Sequence, residues 1–252
     1  MRKFSIIIPT LRTFELVGEL IRSFEFFKPA DLEIHYIVVE NSSDESYKKK
    51  ILASAKHVTW VQNPSAEKCT GSVGNAEGII KGLEHVMDEY VFVAHCDICI
   101  TSSSFFEELF DQRNKGCKLI GTSIDPGRVH AFRQSGYYVD VELLKKCDMM
   151  PSPNSSGIYK LDVGDSITVY CRENDLNMFC YKNTLNDTTL IDSLPEPYRS
   201  FQVDRCLDSS GDVMFMHLGR GVPKTRGTYS KPGRIGVPQW VSFIKEMTTN
   251  VT

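Results

Sequence analysis

The chain has 252 residues, enough for one large α/β domain or two small ones, and its 41% hydrophobic and 24% charged content fits a globular protein with a substantial core. A formal net charge of −3 excludes a nucleic-acid binder that works through bulk electrostatics. The longest apolar runs, SIIIP and YVFVA, are far too short to span a bilayer.

Behind the N-terminal MRKF, residues 4–9 (FSIIIP) form a continuous apolar run, the pattern of a strand buried on both faces. No apolar region with a small-residue cleavage site stands there, so the expected location is cytoplasmic, with peripheral membrane contact as an alternative. Leu16, Val17, Leu20, Ile21 and Phe24 then recur at three- and four-residue spacing and predict an amphipathic helix. Residues 33–40 read as a second strand. SYKKKILASA reads as a helix with Ile51, Leu52 and Ala55 facing inward, and residues 57–62 as a third strand. From Gly74 onward Ala76, Ile79, Ile80, Leu83 and Val86 mark another helix; residues 90–94 (YVFVA) are a fourth strand, and SSFFEELF begins a further helix.

This alternation predicts right-handed crossovers and a mostly parallel sheet with helices on both faces. Past residue 120 the rhythm loosens. LIGTSI reads as a strand, AFRQSGYYVDVELLKK as a strand running into a helix, LDVGDSITVYCREN as a capped helix and residues 212–219 as a strand. After Gly219 the composition shifts to Gly, Pro, Lys and Arg, which predicts a basic mobile tail. Of the eight cysteines only Cys96 and Cys99 form a C-x-x-C, and no second ligand pair accompanies them. Reduced thiols are therefore expected, rather than a structural zinc site.

Ligands of such sheets bind at the carboxyl ends of the strands, so the residues after Pro9, Glu40, Gln62 and Ala94 are the candidates. Pro9, Thr10 and Arg12 end the first strand, where a proline stops the ladder and a hydroxyl and a guanidinium are available to a nucleotide. Glu40 is placed to accept from a nucleobase edge, while its neighbours Asn41, Ser42 and Asp44 also suit a helix cap. Asn75, after Gly71 and Gly74, is placed at or near a helix start that favours anionic or polar ligands. Asp97 follows directly on a buried strand, where a lone carboxylate needs a partner and a divalent cation is the natural one.

Together SIIIPT, VVENSSDES, GSVGNAEGI and YVFVAHCDICI, in this order and spacing, resemble the family 2 glycosyltransferases of the GT-A fold. The resemblance covers residues 4 to about 110. It implies one GT-A domain over residues 1–252: a nucleotide-sugar-binding half (1–100), an acceptor-side half (101–219) and the basic tail or lid (220–252). It also implies that Pro9, Thr10, Arg12, Glu40 and Asn75 line the nucleotide pocket, and that Asp97 is the essential carboxylate of a D-x-D motif. His95 stands where the first Asp of that motif is usual and would touch the sugar nucleotide; Glu40 replaces the commoner Asp.

By the same resemblance His217 completes the metal site with Asp97, for Mn2+ or Mg2+. Arg220, with Lys224, Arg226, Lys231 and Arg234, would fold over the donor diphosphate; a solvated tail or attraction to anionic lipid are the alternatives. Asp162 and Asp165 of LDVGDS are the candidate catalytic bases, although their spacing also imitates a capping box, with Asp204 and Asp208 in reserve. The activity implied is transfer, inverting by resemblance, from a UDP-, GDP- or dTDP-linked sugar to the hydroxyl of a glycan or lipid-linked acceptor. Two rivals stand beside it. One is a non-catalytic nucleotide-sugar-binding relative, motivated by His95. The other is a sugar-phosphate nucleotidyltransferase, which would need a Gly-rich G-x-G-x-R loop where this chain has PTLRTFE.

Overall fold

The computed structural model describes every residue except 70, 128, 154–159, 221–224, 226–234 and 250–252. The apolar run at the N-terminus becomes β1 (Arg2–Thr10), whose residues from Phe4 onward are all buried. β2 (Leu32–Glu40), β3 (Val58–Gln62) and β4 (Tyr90–Ala94) join it in parallel, with β1 between β2 and β4. β7 (Gly136–Asp140) runs antiparallel to β4 and to β6 (Leu119–Gly121), and β10 (Met178–Cys180) closes the far edge parallel to β6. The seven-stranded order is β10-β6-β7-β4-β1-β2-β3, mostly parallel as expected.

Helices cover both faces because residues of both faces are apolar. One core gathers Leu16, Leu20 and Phe24 of α1 (Phe14–Phe27) and Phe105 and Phe106 of α4 (Ser104–Asn114). The other gathers Ala76 and Ile79 of α3 (Gly71–Leu83), Leu144 of α5 (Val141–Lys146) and Ile167 of α6 (Asp165–Glu173). Gly82 lets α3 lie directly on the sheet, since a Cβ there would stand 2.6 Å from Ile7 Cγ2. α2 is only Lys48–Leu52, and of the three inward-facing residues expected Ile51 is buried while Leu52 is 40% exposed. A helix this short has room for one buried position.

Pro9 does not stop the ladder: β1 continues to Thr10, with Pro9 in register with Val39. The pairing with β4 ends at Ile7, so β1 has a neighbour on one side only at Pro9, and the missing N–H is tolerated there. A second sheet, antiparallel, has the order β11-β12-β5, from β11 (Asp204–Leu207), β12 (Val213–His217) and β5 (Ile98–Ile100). Its pairing puts His217 opposite Ile98, one residue past Asp97. β8 (Ser152–Pro153) and β9 (Lys160–Leu161) form a two-residue ladder.

The stretch read as a mobile tail contains a packed helix, α7 (Val237–Met247), which lies against α1. Trp240 and Ile244 are fully buried in the α1 core, and Lys245 approaches Glu19 of α1 at 3.9 Å. The Gly, Pro and basic residues before it masked the apolar spacing of Val237, Trp240, Phe243 and Ile244. Lys224, Arg226, Lys231 and Arg234 lie outside the described residues. Trp240→Ala is expected to cost about 3–5 kcal/mol, seen as a lower urea midpoint; an unchanged midpoint would mean that α7 does not belong to the cooperative core. No helix among the described residues is long and apolar enough to cross a membrane. All eight cysteines are free thiols, and Cys96 and Cys99 are buried in the core.

Candidate active site

The carboxyl ends of β1, β2 and β4 meet the end of β12, and the candidate residues divide there into two groups. The first holds the turns together. Glu40 is fully buried; it accepts hydrogen bonds from Ser42 Oγ (2.6 Å), from the Tyr47 hydroxyl and from the Arg12 backbone N–H (3.2 Å to each oxygen). Burial pushes its carboxyl up to about 7, against these bonds. Glu40 therefore shapes the turn. Arg12 takes a left-handed φ of 53° there and pairs its guanidinium with Glu67, which also accepts from the Ser43 N–H (3.2 Å). Thr10 is buried, its hydroxyl 2.5 Å from that of Thr13.

The second group is a cluster of potential metal ligands. His95, Asp97 and His217 each offer one atom, and the three atoms lie within 4.8 Å of one another. Asp97 Oδ1 is 3.4 Å from His217 Nε2 and 4.0 Å from His95 Nδ1, and the two imidazoles are 3.4 Å apart through His95 Nδ1 and His217 Nε2. Neighbouring ligand atoms around a divalent ion at ~2.1 Å lie about 3.0–3.4 Å apart in octahedral or tetrahedral geometry, so the two 3.4 Å spacings and the donor types suit a divalent cation once the 4.0 Å pair draws in. Asp97 is 2% exposed and His217 6% exposed, while the His95 side chain remains 35% exposed. The cluster thus opens to solvent on the His95 side.

Electrostatics set the two histidines apart. Burial disfavours the charged form of His217, but Asp97 and then Asp204 outweigh it and push its pKa up to about 9. The two carboxylates flank the ring, with Asp204 Oδ2 3.4 Å from Nδ1. His95 is driven the other way, downward, by the desolvation of the ring face turned into the cluster and then by His217. With no cation bound, an imidazolium at 217 balances Asp97; a cation must displace that proton.

Around this cluster the structure adds Arg133 and Gln134, which sequence reasoning missed, and places Asp204, a reserve candidate base, beside His217 instead. Asp204 pairs with His217 in the β11–β12 register and holds its Nδ1. Arg133 approaches Asp204 at 3.7 Å and Asp125 at 4.0 Å. Gln134 Oε1 accepts from Asn75 Nδ2 (2.6 Å), which also lies 3.2 Å from His95 Nε2. Only antiparallel register or loop return brings these residues here, so no local motif announces them.

Asn75 is not at the helix start, because α3 begins at Gly71. It lies a turn inside, and its amide reaches Gln134 and His95. The two candidate bases also separate. Asp165 is fully buried and its Oδ2 accepts from the Asp162 N–H (2.8 Å), closing the turn before α6, while Gly164 adopts φ +75°. Asp162 is partly exposed, and its charge acts on His95. Asp208, held in reserve, is bound by Ser104 and Ser210 hydroxyls and belongs to the loop before β12. Arg220 is exposed, with a left-handed φ of 61°, three residues past His217.

No protein-family model and no curated protein matches the chain. Solved structures do. Glucosyl-3-phosphoglycerate synthase from Mycobacterium tuberculosis, in complex with Mn2+, UDP and phosphoglyceric acid, aligns over 71% of this chain and 68% of its own, with 17% identity and a TM-score of 0.50. The same synthase with phosphoglyceric acid aligns over 71% and 69%, with 16% identity and a TM-score of 0.50. A mannosyltransferase from Pyrobaculum calidifontis, in complex with GDP-Man and Mn2+, aligns over 57% of this chain at 16% identity and a TM-score of 0.46, and this chain spans only 46% of its length. The synthase likeness shows the fold. This chain has the GT-A fold of glycosyltransferases, as the motifs implied.

Proposed function

We propose that the protein is a metal-dependent glycosyltransferase that moves a sugar from a nucleoside diphosphate to a hydroxyl acceptor. The observation that carries this reading is the His95–Asp97–His217 cluster at the carboxyl end of β4, where the GT-A fold would receive a nucleotide's phosphates. A solved structure of similar fold holds Mn2+ with UDP, which supports the same class of ligand for this chain. A bound Mn2+ or Mg2+ would supply positive charge to the diphosphate as it leaves. Asp97 and His217 would hold it, and Asp204 would keep the His217 ring turned so that Nε2 faces inward.

The chain's own residues carry the rest. Glu40 and Arg12 brace the turn on the nucleotide side, and Arg220 stands at the rim, where its charge would meet the diphosphate. Asp162 would take the proton of the acceptor hydroxyl as that oxygen bonds to the anomeric carbon, and the bond to the diphosphate breaks on the opposite side, inverting the centre. The acceptor would be a glycan or lipid-linked sugar, the donor a UDP-, GDP- or dTDP-linked sugar, and the place of action the cytoplasm or a membrane surface.

A thermal-shift panel of UDP-, GDP-, dTDP- and CMP-linked sugars, with and without Mn2+, tests the reading. Stabilisation by one base class, only with metal, is expected, and none by any donor would reject it. His95 in place of an Asp favours a second reading, binding without transfer. Metal-dependent stabilisation with no nucleotide released on any acceptor panel would support that instead.

The raised pKa of His217 makes a further expectation. Metal-free protein gains stability from the protonated ring fully below about 6.5 and loses it as pH rises through about 9. The melting temperature in EDTA should therefore fall between those values, and Mn2+ should restore it more strongly at the alkaline end. A Mn2+ affinity independent of pH over that window would contradict the exchange of proton for metal.

A further inference from the structure

His217 and His95 reach the cluster through opposite ring nitrogens. His217 presents Nε2, with Nδ1 toward Asp204. His95 presents Nδ1, and its Nε2 lies 3.2 Å from the Asn75 carboxamide. A ring nitrogen binds a cation through its lone pair, so His95 can serve as a ligand only with its proton on Nε2 and with an acceptor facing that proton.

In the orientation present in the structure, Asn75 turns Nδ2 to His95 and donates it to Gln134 Oε1 at 2.6 Å. Gln134 Nε2 and the Tyr137 hydroxyl then face each other, in residues 6% and 1% exposed, and no other polar atom of the described residues partners either of them. They are close together: a Cβ on Gly164 would lie 3.3 Å from the one and 3.1 Å from the other. With two donors facing each other, the buried phenol O–H has no acceptor, and that is costly.

The two ends of a carboxamide are nearly isosteric, so a half-turn of both amides preserves the heavy-atom contacts and exchanges donor for acceptor. Tyr137 then donates to Gln134 Oε1, and Gln134 Nε2 donates to Asn75 Oδ1. His95 Nε2–H donates to that same oxygen. The phenol O–H and the Gln134 N–H then both have acceptors, and the Nδ1 lone pair faces Asp97 and His217.

We propose that Tyr137, Gln134 and Asn75 form a positioning relay that holds His95 in its Nε2–H tautomer, making His95 the third ligand of a two-histidine, one-carboxylate cation site. The proposal rests on the metal-dependent reading above. His95 and Asn75 then serve the cation instead of touching the nucleotide, and two imidazole donors favour transition ions such as Mn2+ and Co2+ over Mg2+.

Long-range proton–nitrogen NMR on metal-free, 15N-histidine-labelled protein reads which ring nitrogen of His95 carries the proton. Nε2–H is expected, and Nδ1–H would overturn the relay. Calorimetry with Co2+ and Mn2+ alone gives the second arm. Asn75→Leu should weaken both about 10–100-fold, and Asn75→Asp, which keeps the oxygen acceptor, should restore them. Co2+ affinity and tautomer both unchanged in Asn75→Leu would overturn the proposal. So would Mg2+ binding as tightly as Co2+ in the wild type. Should a variant fail to fold, the wild-type tautomer still decides. A wild type that binds none of these ions would remove the metal-dependent reading itself, whereas Nδ1–H in a protein that binds Co2+ would remove only the relay.

Discussion

Replacing Asp97 with asparagine is expected to abolish metal-dependent donor binding and to lower transfer by at least ~10³-fold. The residue is 2% exposed and supplies the only carboxylate of the three-residue cluster, so its loss would remove the one anionic donor among the three candidate ligands. A metal's contribution to a leaving diphosphate is several kcal/mol, and each ~1.4 kcal/mol is tenfold in rate. His217→Ala should do the same, because it removes the imidazole that Asp204 holds in the cluster. Both variants should keep the fold. Asn is isosteric with Asp, and the backbone bond from Leu218 N–H to the Asp97 carbonyl does not depend on the side chain. Metal titration by calorimetry, circular dichroism and donor hydrolysis make the comparison. Unaltered Mn2+ affinity in Asp97→Asn would end the proposal that this carboxylate holds the metal.

The second large effect separates two aspartates three residues apart. Asp162→Asn is expected to lower kcat by about 10²–10⁴-fold while leaving nucleotide and metal affinity unchanged, the signature of a lost general base. Asp165→Asn should act on stability instead. Its buried carboxylate holds the Asp162 N–H, and losing such a bond costs about 1–3 kcal/mol. Steady-state kinetics with saturating donor, beside denaturant unfolding of each variant, resolves the two. Full activity in Asp162→Asn with loss confined to Asp165→Asn would reverse the roles.

The order of elements was legible before any coordinates, because burial on both faces writes itself locally as continuous apolar runs and three-and-four spacing. β4 falls on the expected residues 90–94, and the mostly parallel sheet follows from the alternation. Asp97 also announced itself, since a carboxylate directly after a buried strand needs a partner. α7 did not, because basic and glycine-rich residues upstream hid four apolar positions whose partners lie in α1. Asn75, expected at or near a helix start, lies one turn inside α3, whose start at Gly71 carries no sequence mark beyond the glycines themselves.

What the sequence determined alone is the set of chemical groups and the strand ends that carry them. Which groups meet was decided by tertiary structure. Asp204, Arg133 and Gln134 join His217 and His95 through antiparallel pairing and a loop return, contacts between residues from 13 to more than 100 positions apart. Local patterns encode which way a residue faces within its own element. They hold no record of a register set by packing between elements. The same reason explains the paired aspartates: identical side chains in one turn part company because Asp165 is buried in the core while Asp162 stays partly exposed with its charge acting on His95.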